Sequence, residues 1–129
     1  MKNKIQFLDL GRHPITNNFL NKKNSKKEFF YNLKLIFNNK SKLVSLAKFV
    51  PPKKMFNEKY AHRASASKTM SLAYSNLAKS IKNKFKPKSI LEIGSNDGVF
   101  IKHFNNIKNL GVEPCKNLAK ITTRIGVKT

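Results

Sequence analysis

Three carboxylates, Glu92, Asp97 and Glu113, stand in and just beyond the stretch Ser89-Ile90-Leu91-Glu92-Ile93-Gly94-Ser95-Asn96-Asp97-Gly98. Gly94 gives a turn its positive-φ freedom and leaves room for a ligand to lie against the backbone. Glu113 lies 21 positions after Glu92, where a carboxylate can accept hydrogen bonds from both hydroxyls of a ribose. The turn reads Glu92-x-Gly94-x-x-x-Gly98, with Asn96 and Asp97 inside it, and not the G-x-G-x-x-G of a dinucleotide site. An acidic, wide turn is a poor cradle for a pyrophosphate. It suits a cationic or zwitterionic ligand better.

These residues need a scaffold, and the flanking pattern supplies one. Ile90, Leu91 and Ile93 form a short apolar run that reads as a buried strand running into the turn. Val99, Phe100, Ile101 and Phe104 then predict a helix opening just past Gly98, whose free N–H groups would face the ligand. Leu110-Gly111-Val112 reads as a second strand, stopped by Pro114 after Glu113. Residues 115–124 place Leu118 and Ile121, with Ile125 beyond, on one side of a further helix. Cys115 at its start is either a thiol activated by the helix end or a small filler, and no partner base is evident. The unit is the start of a nucleotide-binding α/β sheet.

Leu91-Glu92-Ile93-Gly94-Ser95-Asn96-Asp97-Gly98, followed by Gly111-Val112-Glu113-Pro114, resembles the S-adenosylmethionine site of class I methyltransferases. The wording is most similar to the sugar C-methyltransferases, which methylate a carbon of nucleotide-linked deoxysugars. Another nucleotide-binding βαβ unit is the alternative. The resemblance implies a Rossmann-like sheet that binds S-adenosylmethionine through Glu92, Gly94, Ser95, Asn96, Asp97, Gly98, Glu113 and Pro114. The methionine end would lie along Gly94 to Gly98, its ammonium near Glu92 and Asp97, and the ribose on Glu113.

The resemblance continues upstream. Tyr60-Ala61-His62-Arg63-Ala64-Ser65-Ala66-Ser67 is similar to a family segment that closes over cofactor and substrate. Tyr60, Ser65 and Ser67 match that segment, whereas His62 and Ala64 depart from it. Tyr60 and His62 are thus the candidate catalytic residues, His62 having a pKa near neutrality, and Ser65 and Ser67 are candidates for cofactor contact. The other reading of His62 and Arg63 is a solvated loop.

Nearer the N-terminus, Phe29, Tyr31, Leu33, Leu35 and Phe37 recur at period two and Leu43-Val44-Ser45-Leu46 reads as the returning strand, which predicts a β-hairpin. Before it, Ile5 to Leu10 forms a short mixed run ended by Gly11 and turned by His13-Pro14. Asp9-Leu10-Gly11-Arg12-His13-Pro14-Ile15-Thr16-Asn17 and Phe37-Asn38-Asn39-Lys40-Ser41-Lys42-Leu43-Val44 match the opening of the same family. The family's zinc-ligating cysteines fall at Asn38 and Ser41, and an upstream pair is missing too. Zinc wants four converging Cys or His ligands, so the resemblance implies a zinc-binding ancestor and this sequence predicts no zinc.

Val50-Pro51-Pro52 marks a boundary. Met70, Ala73, Leu77, Ile81 and Phe85 follow at helical steps, with Ser67 or Thr69 as N-cap and Lys86-Pro87 as the stop. This helix either packs on the sheet or lies on a membrane surface. Its place directly before the first strand favours the sheet. The expected organisation is α/β: residues 1–50 a zinc-ribbon-like β subdomain, 51–88 a linker and amphipathic helix, and 89–129 the start of a truncated Rossmann-like domain.

Net charge is +21, from 27 Lys plus Arg against 6 acids. Such a charge can announce nucleic-acid binding. Only Arg12, Arg63 and Arg124 are arginines, the lysines are spread along the chain, and Asn is abundant, so compositional drift explains the charge as well. One cysteine and the lack of any apolar run near the roughly 20 residues of a membrane span point to a reducing, cytoplasmic setting without a membrane. The basic start at residues 1–6 has no apolar core and is no signal peptide.

The expectation is therefore the N-terminal part of an S-adenosylmethionine-dependent C-methyltransferase, acting on a nucleotide-sugar or similar acceptor. Its catalytic base would lie in an absent C-terminal half of the same protein, so the chain alone would not turn over. A Lys-rich nucleic-acid-binding module, or a piece of an RNA methyltransferase, is the second reading. A decayed remnant is the third.

Overall fold

The computed structural model describes residues 3–129; the first two residues of the basic N-terminal start lie outside the described residues. The chain divides into two compact units, Met1–Met55 and Phe56–Thr129.

The first unit is an antiparallel sheet in the order β1-β2-β3, with β1 at Lys4–Pro14, β2 at Phe30–Asn38 and β3 at Val44–Leu46. The β2–β3 hairpin pairs Leu35 with Leu46 and Phe37 with Val44. The sheet is larger than the expected hairpin, because β1 pairs along β2 from Lys4↔Asn38 to Pro14↔Phe30. Gly11, read as a stop, instead sits at φ 78° where the register shifts between Asp9 and Arg12, and its N–H donates to Asp9 Oδ1 at 3.0 Å. A bulge with a left-handed glycine lets a strand bend and continue. Pro14 is tolerated because it ends an edge strand.

Asn38 closes the β2–β3 turn. Its Oδ1 accepts the N–H groups of Lys40 at 2.9 Å and Ser41 at 3.2 Å, an Asx turn that ties the loop locally. The core of the unit is small, with Ile15 and Val50 buried, whereas Ile5, Phe7 and Leu10 of β1 stay exposed. A one-turn helix, α1 at Pro52–Met55, ends it.

The second unit begins with a loop and a short 3-10 turn at Ala64–Ala66, then α2 at Lys68–Phe85. Ser67 caps α2 by accepting the Met70 N–H at 3.2 Å. The helix ends on Lys86, held at φ 44° in the left-handed region. Its buried side differs from the expected stripe. Ala78 is buried and Tyr74 meets Phe100 at 5.6 Å between ring centroids, whereas Met70, Leu77 and Phe85 are exposed. The aromatic stack Tyr74–Phe100–Phe104 sets the contact, and the aliphatic stripe is left facing out.

Strands β4 (Ser89–Ile93) and β5 (Lys108–Val112) pair in parallel, Leu91 opposite Leu110 and Ile93 opposite Val112. The helix expected just past Gly98 is reduced to a 3-10 turn at Ile101–Phe104. Residues 99–107 must both cover the sheet and return to β5, which leaves no length for an α-helical crossover. The turn therefore has no α-helix N-terminus behind it, only this 3-10 turn. Ile101 and Phe104 are nevertheless fully buried. Helix α3 spans Lys116–Arg124 and buries Leu118 and Thr122, so a hydroxyl stands on the side where Ile121 and Ile125 were expected. Beyond α3, Gly111 donates its N–H to Lys128 O at 2.8 Å, on the edge of β5 away from β4.

One face of the parallel pair is uncovered. Leu91, Ile93, Leu110 and Val112 share it and are 57%, 79%, 40% and 46% exposed. Parallel sheets are normally covered on both faces.

Candidate functional site

The turn after β4 is held by the end of β5. The N–H groups of Gly94 and Ser95 donate to Val112 O at 2.8 and 3.2 Å. Gly94 and Gly98 sit at φ 78° and 79°, and Asn96 between them at φ 50°. A side chain at Gly94 would meet nothing within 4 Å, so the space above the turn is open. At Gly98 it would collide with Ile125 and Thr122 of the α3 segment at 2.9 Å.

Asn96 is the hub. Its N–H donates to Glu113 Oε2 at 2.8 Å, its carbonyl accepts from Thr122 Oγ1 at 2.9 Å, and its Oδ1 accepts the Ala64 N–H at 2.9 Å. Its Nδ2 donates to His62 O at 3.4 Å. Asp97 binds the next residue of the same loop, its Oδ2 accepting from Ser65 Oγ at 2.5 Å and Ser65 N–H at 3.2 Å. Asn117 on α3 completes the clasp by donating to Tyr60 O at 2.9 Å. The loop at 60–66, far away in sequence, is thereby docked on the turn.

The residues singled out from sequence fall into two sets. Glu92, Gly94, Ser95, Asn96, Asp97, Gly98, Glu113 and Ser65 are gathered around the turn. Pro114 follows β5 beside them. Ser67 is occupied as the cap of α2. Tyr60 and His62 touch the clasp through their backbone carbonyls, and their rings meet edge-on at 6.4 Å between centroids. Asn117 and Thr122 escaped the sequence reading. The signal was a polar pair on the inward side of a helix otherwise packed through Leu118.

The electrostatics of the turn are one-sided. Glu92 Oε2, Asp97 Oδ1 and Ser95 Oγ are buried and have no hydrogen-bond partner among the described residues. Burial raises the Glu92 carboxyl to about 7, the Ile101 backbone N–H pulling it down and the Glu113 charge pushing it further up. Buried acceptors without donors are costly. Glu92 and Asp97 stand on either side of the turn in sequence, whereas Ser95 Oγ lies toward Gly111, 2.8 Å from where a Cβ there would stand. Glu113 spends one lone pair of Oε1 on the Cys115 N–H at 2.8 Å and one of Oε2 on Asn96. A carboxylate has about four such sites, and the Cys115 thiol takes a third, so one remains for a hydroxyl. Cys115 is buried, and burial together with its hydrogen bond to Glu113 pushes its thiol up to about 11. It is a filler and not a nucleophile.

Among the described residues no three His, Cys, Asp or Glu side chains are grouped to hold a metal. At the β2–β3 turn the donors do not suit zinc. Asn38 and Ser41 offer neutral oxygens, and Asn38 Oδ1 is already engaged with two backbone N–H groups.

No curated protein matches the sequence. Residues 1–56 match a methyltransferase-associated family model described as "Putative zinc binding domain", which covers less than half of the chain. The match supports a methyltransferase-associated domain at the N-terminus of this chain.

Proposed function

We propose that this chain is the N-terminal part of an S-adenosylmethionine-dependent methyltransferase that methylates a carbon of a nucleotide-linked sugar. The observation that carries the cofactor reading is the pair of buried, unpartnered carboxylate oxygens, Glu92 Oε2 and Asp97 Oδ1, in residues that flank the turn at Gly94. These residues fit an amino-acid ammonium group, and the acceptor capacity left on Glu113 fits a ribose hydroxyl. The cofactor would supply an electrophilic methyl group. The chain's own part is to hold it: the clasp of Ser65 on Asp97 and of Asn96 on Ala64 keeps the acidic turn in place.

Methylation at carbon needs a base to generate the nucleophile. Tyr60 and His62 approach the turn through backbone atoms, so a base from further sequence of the same protein belongs to this reading. The uncovered face of Leu91, Ile93, Leu110 and Val112 supports it, since a parallel sheet in a complete enzyme has a layer there. A cytoplasmic setting accords with this substrate class. Among the described residues no helix is long and apolar enough to cross a membrane.

A second reading, electrostatic binding of a nucleic acid, is favoured by one grouping. Lys102, Lys82 and Lys79 converge on His103, whose pKa is lowered first by burial and then by their charges.

Calorimetric titration of the chain with S-adenosylmethionine at moderate salt tests the proposal. Binding that is lost in Gly94→Asp and weakened at least tenfold in Glu92→Gln supports it. A folded chain that binds nothing, or binds unchanged in both variants, overturns it. RNA binding that survives physiological salt would favour the second reading.

A further inference from the structure

The first unit carries a cavity of about 520 Å³ lined by Arg12, Phe30, Asn32, Lys34, Lys48 and Phe49 among others. It is a trough across one face of β2, where Phe30, Asn32 and Lys34 alternate onto the same side. Arg12 from β1 forms one wall. The segment after β3 forms the other, held beside β2 by the Ala47 N–H donating to Lys34 O at 2.8 Å.

Two features of the lining point to a ligand class. The first is charge. Lys34 is paired with Asp9 at 2.8 Å, but among the described residues neither Arg12 nor Lys48 has a carboxylate within 4.0 Å. The unpaired cations stand on opposite walls, two strand spacings or roughly 10 Å apart. The second is aromatic surface. The Arg12 guanidinium lies 5.0 Å from the centre of the Phe30 ring, and Phe49 is 77% exposed while the next residue, Val50, is buried as its anchor. An exposed, anchored ring is a stacking platform, and base–aromatic stacking contributes about 1–3 kcal/mol. A guanidinium offers paired donors to phosphate oxygens.

We propose that this trough binds a nucleoside diphosphate, its heterocycle on Phe49 and Phe30 and its phosphates between Arg12 and Lys48. The volume falls within the range of small-ligand sites, about 300–1,000 Å³. The choice of ligand rests on the reading above, because the acceptor proposed there carries a nucleotide. Asn32 offers an amide to the edge of the heterocycle.

The test is a titration of the whole chain with uridine diphosphate, with inorganic pyrophosphate, uridine and an oligouridylate in parallel. Saturable binding of the diphosphate is expected, at least tenfold tighter than pyrophosphate or uridine, and weakened at least tenfold in both Phe49→Ala and Arg12→Gln. Both side chains are exposed, so these variants keep the fold. No saturable binding by the folded chain overturns the proposal, as does equal affinity for pyrophosphate. Tighter binding of oligouridylate that is indifferent to Phe49→Ala overturns it in favour of a polyanion surface. S-adenosylmethionine titrated into Phe49→Ala keeps the two readings apart. Loss of the nucleotide with retention of the cofactor is expected there, and failure of the cofactor alone sinks only the earlier reading.

Discussion

Asn96 donates its backbone N–H to Glu113 Oε2 at 2.8 Å, so the carboxylate at the end of β5 fixes the turn that leaves β4. The same carboxylate takes the Cys115 N–H at the start of α3. Glu113 therefore holds two loops together before any ligand arrives, and its role in binding is inseparable from its role in shaping the site. Replacing it by Ala strands two part-buried N–H groups. We expect a loss of about 2–4 kcal/mol in urea unfolding, since hydrogen bonds to charged groups contribute about 1.5–3 kcal/mol each and partial exposure discounts them. Glu113→Gln should lose about half as much.

The close approaches at two glycines predict larger effects. Gly98 combines φ 79° with Thr122 and Ile125 at 2.9 Å from a built Cβ, and Gly111 would set its Cβ 2.8 Å from Ser95 Oγ. Gly98→Ala adds left-handed strain of about 1–2 kcal/mol to overpacking of about 1–3 kcal/mol. Gly111→Ala adds only the overpacking. Thermal melts should rank the wild type above Gly111→Ala and Gly111→Ala above Gly98→Ala.

Lys86 predicts a change of opposite sign. It occupies the left-handed residue that ends α2, at φ 44°, with its N–H bonded to Lys82 O at 3.1 Å. Glycine adopts that conformation without the Cβ penalty. Lys86→Gly should raise stability by about 1 kcal/mol, read as a higher urea midpoint with an unchanged slope.

Glu92 makes stability and binding respond to pH in opposite directions. Its folded pKa of about 7 lies above the ordinary 4.5, so the folded state holds its proton more tightly. That contribution is fully present below 4.5 and is lost as pH rises through 7. The free chain should therefore melt lower at pH 8 than at pH 5, and Glu92→Gln should flatten that slope. A cationic ligand favours the ionised carboxylate, so affinity should increase from pH 6 to pH 8 with proton release on binding, measured by titration in buffers of different ionisation enthalpy.

What the sequence made legible follows from short-range rules. The alternation in β2 and the Asn38 turn marked the hairpin, because each depends on residues close in the chain, and Gly94 and Gly98 marked the turn after β4. Four features were not legible. Gly11 reads as a terminator and acts as a bulge, since only the partner strand shows that pairing resumes at Arg12. The helix after Gly98 had the right apolar spacing but too little chain to form, and became a 3-10 turn. The buried side of α2 was decided by the rings of Phe100 and Phe104, which outcompete the aliphatic stripe of Met70, Leu77 and Phe85 for contact with the helix. Asn117 and Thr122 stand out locally only as a polar pair on a helix, and the partners that give them their roles lie more than twenty positions away.

The uncovered face of Leu91, Ile93, Leu110 and Val112 has a colloidal consequence. Two parallel strands presenting four aliphatic side chains should adhere to their own kind, and what opposes adhesion here is mutual repulsion between molecules of net charge +21. At about 0.1 M salt that repulsion reaches only about 10 Å, and at 1 M about 3 Å. The chain should stay dispersed in dilute buffer and cloud as salt is added, the reverse of what salt does to a complex held together by charge.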